Sequence, residues 1–465
     1  MIRRSWLRLL CVLLVAALVG AACGSDRGDD GSAAAPDDPG TTEPENTGDA
    51  SFGDLESPCG GEDEGNEAGE QGVAADAITI GYGDDAGFTG SPGLNHQQSD
   101  AVKALIEWCN EQGGINGRRI EGKYYDAKIT EVNNVMQQAC GEVFMLVGQG
   151  WALDSAQEET RVGCDLPSVP SFSVSPAFAH GPNMIQGVPN PVDFTPAHVA
   201  DAMAELFPSE VKKAATMVAN YAATLDTRAK VKSAYPSFGW EFLDCDVEYN
   251  IAGESDWKPF AQRLKECGAE LVYFAGSPFP NFENFLEAAA QVDFNPIYQV
   301  DANFYEDQFA EWSANGLANN VYLRFAFVPF EERDEVDAVD DYLNLLEDTD
   351  GDVSLLGMQA SSSFLLWATG VKACGADVTR QCVLDEIAGI TEWTAGGLHA
   401  PTAPAENLPP GCGVVLKLTD GAYERVVPEG AGTFDCKDTY VAEVTGAVVD
   451  QAELNEDRVS TLFLR

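Results

Sequence analysis

From Ala77 onward, short apolar runs alternate with longer amphipathic stretches. Ala77–Gly83 reads as a buried strand, and His96–Gln112 as a helix with Ala101, Leu105, Trp108 and Cys109 on one face. Gly113-Gly114 ends that helix, because glycine accepts the left-handed conformation past a helix C-terminus. The pattern then predicts strand 119–125, helix 131–140, strand 143–148, helix 153–162 and strand 168–174. After a Pro/Gly-rich stretch at 181–196 it resumes with helices 197–207, 224–234, 256–266 and 282–291 between strands 214–219, 240–249, 270–275 and 296–300. Such repeats predict an α/β fold of parallel sheets flanked by helices. The break near 190 predicts two Rossmann-like lobes. Cys412–Val427 holds Asp420-Gly421 between two alternating runs, the signature of a C-terminal antiparallel hairpin.

The first 72 residues have a different character. Arg3, Arg4 and Arg8 precede an apolar run from Leu9 to Val19 and then Gly20-Ala21-Ala22-Cys23, the form of an export signal. The segment resembles a bacterial lipoprotein signal (residues 1–22), which would leave Cys23 lipidated. An ordinary signal-peptidase site at the same small residues is the rival, and cysteine parity separates the two. Excluding Cys11 in the signal and Cys23, ten cysteines remain: Cys59, Cys109, Cys140, Cys164, Cys245, Cys267, Cys374, Cys382, Cys412 and Cys436. An even number suits disulfides in an oxidising compartment. Neighbours in that order give short loops: Cys374–Cys382, Cys412–Cys436, Cys140–Cys164 and Cys245–Cys267, leaving Cys59 for Cys109. Residues 23–72 are rich in Gly, Ser, Pro, Asp and Glu, with 15 acids against Arg27 from 24 to 72, and are expected to form a disordered spacer behind the anchor.

Charge and motifs exclude several chemistries. With 27 basic against 75 acidic residues, the net charge of −48 leaves no excess of cations for nucleic acid. The first strand is followed by G-x-G-x-x-x-G with Asp84 and Asp85 where a pyrophosphate would approach, so no dinucleotide site is expected; both acids read as solvated loop charges. Asp348–Asp352 has its glycine misplaced for a calcium loop, and no nucleophile elbow or phosphate loop occurs. No enzyme activity, cofactor or metal is expected.

The segment Ala104–Asp126 closely resembles one family. Asn110, Gly113-Gly114-Ile115-x-Gly117-Arg118 and Asp126 match the first helix, turn and second strand of the type I periplasmic binding proteins, Leu/Ile/Val-binding branch. Leu166–Pro176, Asp256–Gly276 and the hairpin at 413–427 are similar to further parts of that family. The resemblance implies two lobes joined by three hinge crossovers, near 188–196, 323–330 and 350–358, closing over a ligand cleft. Lobe 1 would comprise 73–192 and 328–465, and lobe 2 residues 193–327. It implies a monomeric, lipid-anchored protein on the outer face of the cell membrane that binds a small molecule and delivers it to the permease subunits of an ABC importer. A surface sensor or adhesion module of the same fold is the alternative.

In this branch, hydroxyls and backbone N–H groups hold an amino acid's carboxylate and an acid holds its ammonium. Ser173 and Ser175 after the fourth strand could supply hydroxyls, and Asp301 lies near the expected ammonium-binding acid. Phe88 and Thr89 lie near the place of the usual first-loop tyrosine. The cleft loops are otherwise aromatic, with Trp151 as lead candidate in its Gly-Gln-Gly turn and Tyr221 and Phe279 beside it. Aromatic walls favour a small organic solute that is amino-acid-like or carries an apolar or ring portion.

Overall fold

The computed structural model describes residues 51–62 and 65–464. The expected signal and the lipidation site Cys23 lie outside the described residues.

Lobe 1 opens with β1 (Ala77–Asp84), α1 (His96–Glu111), β2 (Arg119–Asp126), α2 (Val132–Glu142), β3 (Leu146–Val147), α3 (Glu158–Gly163), β4 (Ser168–Val169) and the short α4 (Pro176–Ala179). Its four strands form one parallel sheet in the order β2-β1-β3-β4, with Ala77 beside Arg119 and Leu146 beside Ser168. The strands at 143–148 and 168–174 are shorter than the apolar runs suggest. Beyond Val169 the chain turns into the cleft: the Ser171 N–H still donates to the Gln149 carbonyl just past β3, while the Ser171 and Ser173 hydroxyls bond to the Gln98 and Gln186 side chains. The Asn110 amide explains its place in the motif: it donates to the Ile120 carbonyl at 2.9 Å and accepts from the Ile120 N–H at 2.8 Å, tying helix to strand across the turn. Gly113 and Gly114 both adopt positive φ, and a Cβ on Gly114 would lie 2.0 Å from the Arg118 carbonyl oxygen.

The chain crosses to lobe 2 with β5 (Phe194–Pro196), followed by α5 (His198–Leu206), β6 (Ala214–Ala219), α6 (Ala222–Ala234), β7 (Val247–Tyr249), α7 (Lys258–Cys267), β8 (Leu271–Ala275), α8 (Glu283–Gln291), β9 (Ile297–Val300), α9 (Asp307–Ser313) and β10 (Val321–Phe325). It then returns to lobe 1 as α10 (Asp337–Thr349), α11 (Leu355–Cys374) and α12 (Arg380–Ala388); α10 and α11 both pack on α1. It ends in lobe 2 with β11 (Cys412–Thr419), β12 (Ala422–Val427), β13 (Asp435–Cys436), β14 (Val441–Glu443) and α13 (Ala447–Asp450).

Three expectations need correction. The hairpin β11–β12 belongs to the second sheet, in the order β12-β11-β10-β9-β8-β6-β7, not to lobe 1. Leu416 pairs antiparallel with Leu323 and covers an edge of β10 that would otherwise be open. The third crossover therefore lies between α12 and β11, not at 350–358, where Ser354 instead caps α11 of lobe 1. Residues 51–62 and 65–72 are also no free spacer. Phe52 is buried with its ring edge-on to Trp108, Lys372 Nζ donates to the Ser57 carbonyl at 2.5 Å, and the Arg380 N–H donates to Glu70. Basic side chains and a disulfide anchor this polar strap through its backbone, which composition does not reveal. The disulfides are Cys59–Cys109, Cys140–Cys164, Cys245–Cys267, Cys374–Cys382 and Cys412–Cys436, each joining neighbours in sequence order.

Candidate ligand-binding site

A cavity of about 380 Å³ lies between the lobes, at the carboxyl ends of the strands of both sheets. In parallel α/β sheets those ends carry the loops and helix N-termini that meet ligands. The size suits a small organic molecule.

The lobe 1 wall is mainly apolar. Phe88 and Leu94 come from the loop after β1, Ala152 from the loop after β3, Phe172 and Val174 from the chain after β4, and Leu355 and Leu356 from the first turn of α11. Its loops are fixed from behind by buried carboxylates. Asp85 accepts from the N–H groups of Ile129 (2.6 Å) and Ala152 (2.7 Å), and burial pushes its carboxyl up to about 6. Asp154 accepts from Val174 (2.7 Å) and Ser175 (3.0 Å), and burial pushes it up to about 7. Asp84 accepts from the Ala86 N–H and the Tyr124 hydroxyl. Asp84 and Asp85 are thus fully buried struts, not the solvated charges expected. Gly150 lets the ring of Phe172 and the amide of Gln98 close over the β3 turn: a Cβ there would stand 2.3 Å from the ring.

The lobe 2 wall carries charge. One face of α6 presents Ala223, Thr227, Lys230 and Val231, spaced three or four apart as a helix face requires. Lys230 is buried; Nζ donates to Asn190 Oδ1 (2.9 Å) and the Pro191 carbonyl (2.7 Å), both in the first crossover. Burial, and then the Arg324 charge, lower its amine to about 7. Arg324, on β10, donates from Nε to Asp301 at 3.1 Å, and Tyr273 donates its hydroxyl to the same carboxylate at 2.5 Å. Glu306 reaches the cavity from the loop after β9; its Oε1 is buried without a partner, and burial pushes the carboxyl up to about 8. The Tyr221 hydroxyl and Gln359 Oε1 are buried without partners as well.

Of the residues expected at the site, Phe88, Ser173, Tyr221, Phe279 and Asp301 line this cavity. Ser173 also donates to Gln186 at 2.9 Å, and Asp301 is already neutralised by Arg324. The other three lie elsewhere. Trp151 is 1 % exposed and packs in the core with Tyr125, Val135, Met136 and Leu166, its Nε1 donating to the Tyr125 carbonyl. The chain turns at Gly148, and the residue after Trp151, Ala152, lines the cavity instead. Ser175 caps α4, accepting from the Phe178 N–H, and Thr89 is exposed outside the cavity lining. Sequence reasoning missed Lys230, Arg324, Glu306 and Gln359. A lone arginine inside the apolar strand Val-Tyr-Leu-Arg-Phe was the available signal for Arg324.

A sequence model described as periplasmic binding protein matches residues 77–422, from the first residue of β1 to the first of β12. The chain belongs to the periplasmic binding protein family. The two-lobed binding-protein fold recurs in solved structures at low identity. A fatty acid ABC transporter substrate-binding protein from Thermomonospora curvata matches with a TM-score of 0.67 at 13% identity, covering 82% of this chain and 97% of that one. An ABC transporter solute binding protein from R. palustris in complex with benzoate gives 0.63 at 13%, covering 78% and 98%. The branched-chain amino acid transporter substrate binding protein from Streptococcus pneumoniae in complex with isoleucine gives 0.59 at 15%, covering 75% and 99%. Among curated proteins, no sequence matches this binding protein. No helix among its described residues is long and apolar enough to cross a membrane.

Proposed function

We propose that this binding protein captures a small organic solute with an apolar body outside the cytoplasm, closes its lobes over it, and hands it to the membrane subunits of an ABC importer. The observation that carries the reading is the shared cavity: both lobes wall it with apolar side chains, Phe88, Phe172 and Leu355 from one and Val231, Ile251 and Phe279 from the other. A ligand touching both walls stabilises the closed arrangement through contacts the open one lacks. The bound isoleucine and benzoate of the structures above, and the fatty acid in the name of the third, are all molecules with an apolar body. Export and lipidation at Cys23 complete the proposal, placing capture at the outer face of the cell membrane.

Thermal shift on the purified, disulfide-oxidised protein tests it, using amino acids, aliphatic and aromatic acids, their amides, and sugars. A ligand at 100 times its Kd should stabilise the fold by about 2.7 kcal/mol. It should also reduce the radius of gyration in small-angle scattering. No melting shift with any compound, at millimolar concentration, would refute the solute-binding role.

A further inference from the structure

Lobe 2 sets two cations on the cavity wall of a chain that has 27 basic residues against 75 acidic ones. Their surroundings leave donors free for a ligand. As an ammonium, the form a bound carboxylate would favour, Lys230 has three N–H donors, of which two are taken by neutral acceptors, the Asn190 amide and the Pro191 carbonyl. Among the described residues, the Arg324 side chain donates only from Nε, and nothing accepts from its two terminal nitrogens. Asp301 balances the Arg324 charge, so what the pair offers a ligand is free donors rather than net positive charge. Asp301 is held by Arg324 and Tyr273, and Asp193 by Arg458 and His180. Asp226, the remaining acid facing Lys230, is itself pushed up to about 6 by burial.

Resting on the solute-binding reading, we propose that the ligand is an organic carboxylate whose acidic group is received by Lys230 and Arg324 on lobe 2, with its apolar body against Phe88, Leu94, Phe279 and Leu355. A carboxylate between these side chains would complete the free donors with charge-assisted hydrogen bonds, the strong kind. It would also offset the repulsion between the two cations. The same wall disfavours an amino acid at the position expected from the sequence: an ammonium at Asp301 would compete with an arginine already bonded there. Glu306 offers no ready counter-ion, since its burial keeps the carboxyl protonated to about 8.

Lys230 also pins the first crossover to α6, so a purely structural role would look similar in the unliganded protein. The charge preference of binding separates the two. Calorimetry on the intact protein should compare hexanoate with hexanamide, hexylamine and leucine, and benzoate with benzamide, benzylamine and phenylalanine. We expect one acid to bind at least tenfold tighter than its amide, amine and amino acid. Lys230→Met should abolish that preference, and Lys230→Arg should restore part of it. An amide or amine bound as tightly as the acid overturns the carboxylate assignment and leaves solute binding intact, as does an unchanged acid-to-amide ratio in Lys230→Met; leucine or phenylalanine bound as tightly keeps the carboxylate and overturns the exclusion of an ammonium. No heat and no melting shift with any of the eight probes would overturn both. If Lys230→Met fails to fold, the wild-type comparison decides alone.

Discussion

The two walls of the cleft come from strand-end loops of the same kind, yet their acids do different work. In lobe 1, Asp85 and Asp154 lie behind the cavity lining and accept backbone N–H groups, so each carboxylate fixes the loop that carries a cavity residue, Ala152 in one case and Val174 in the other. In lobe 2, Asp301 and Glu306 line the cavity itself, the first paired with a cation that also faces it and the second without a partner at Oε1. Both lobes thus supply apolar wall; lobe 1 adds neutral polar groups such as Ser173 and Gln359, and lobe 2 adds the lysine, arginine and acids. A ligand that docks first on one wall meets complementary chemistry only when the other closes. In the closure proposed above, that difference would favour the closed state, because a ligand's polar contacts are desolvated only there.

The comparison breaks first at Trp151. As a core residue of lobe 1 it should cost about 3–5 kcal/mol of stability when truncated to alanine, measured by urea denaturation, while the fraction that stays folded binds its ligand with unchanged affinity. Normal stability with lost affinity would move Trp151 to the cavity and make lobe 1 a recognition wall after all. Asp154→Ala ranks next. It strands the buried N–H groups of Val174 and Ser175 and should cost about 2–3 kcal/mol, again as stability. If it weakened binding without loosening the fold, the division of labour between the lobes would fail.

The fold was legible where local physics dictates it. A helix that reverses at once into a strand needs Gly113-Gly114, and four of the disulfides close short loops between neighbouring cysteines, which made that pairing a reasonable expectation although sequence order alone cannot fix it. The strap at 51–72 was not legible, because Lys372 and the Arg380 N–H, more than 300 residues away, satisfy its polar groups. Nor was the lobe of the hairpin: alternation reveals an edge-covering strand without naming the sheet it covers. At the site, Tyr221 and Phe279 were accessible to reasoning because strand-end loops of the second sheet point toward the cleft. Trp151 misled because a turn at Gly148 decides which side of the loop faces inward. Lys230 escaped because its meaning lies in the first crossover, whose carbonyls hold it at the cavity.

The smallest expected effect concerns Glu306, the acid that most separates the walls. Its unfolded-state value is that of an ordinary glutamate, and burial raises the folded one to about 8, with Glu283, Asp307 and Asp352 adding to the rise and His96 opposing it. The folded protein therefore holds this proton over a pH range in which the unfolded chain has lost it. Stability from this group is full below the ordinary glutamate range and declines as pH rises toward about 8, flattening beyond. Asp85 and Asp154 share that sign over a narrower window, while Lys230, lowered to about 7, contributes the reverse: stability gained as pH climbs above that value. The group-specific signal is the difference between wild type and Glu306→Gln. The glutamine keeps the shape and removes the titration, so its melting temperature should fall less between pH 5 and pH 8 than that of the unliganded wild type. Parallel curves would mean that Glu306 is already ionised in the folded cleft. Lobe 2 would then offer an ammonium a counter-ion, and an amino acid would regain its place beside the carboxylates as a candidate ligand.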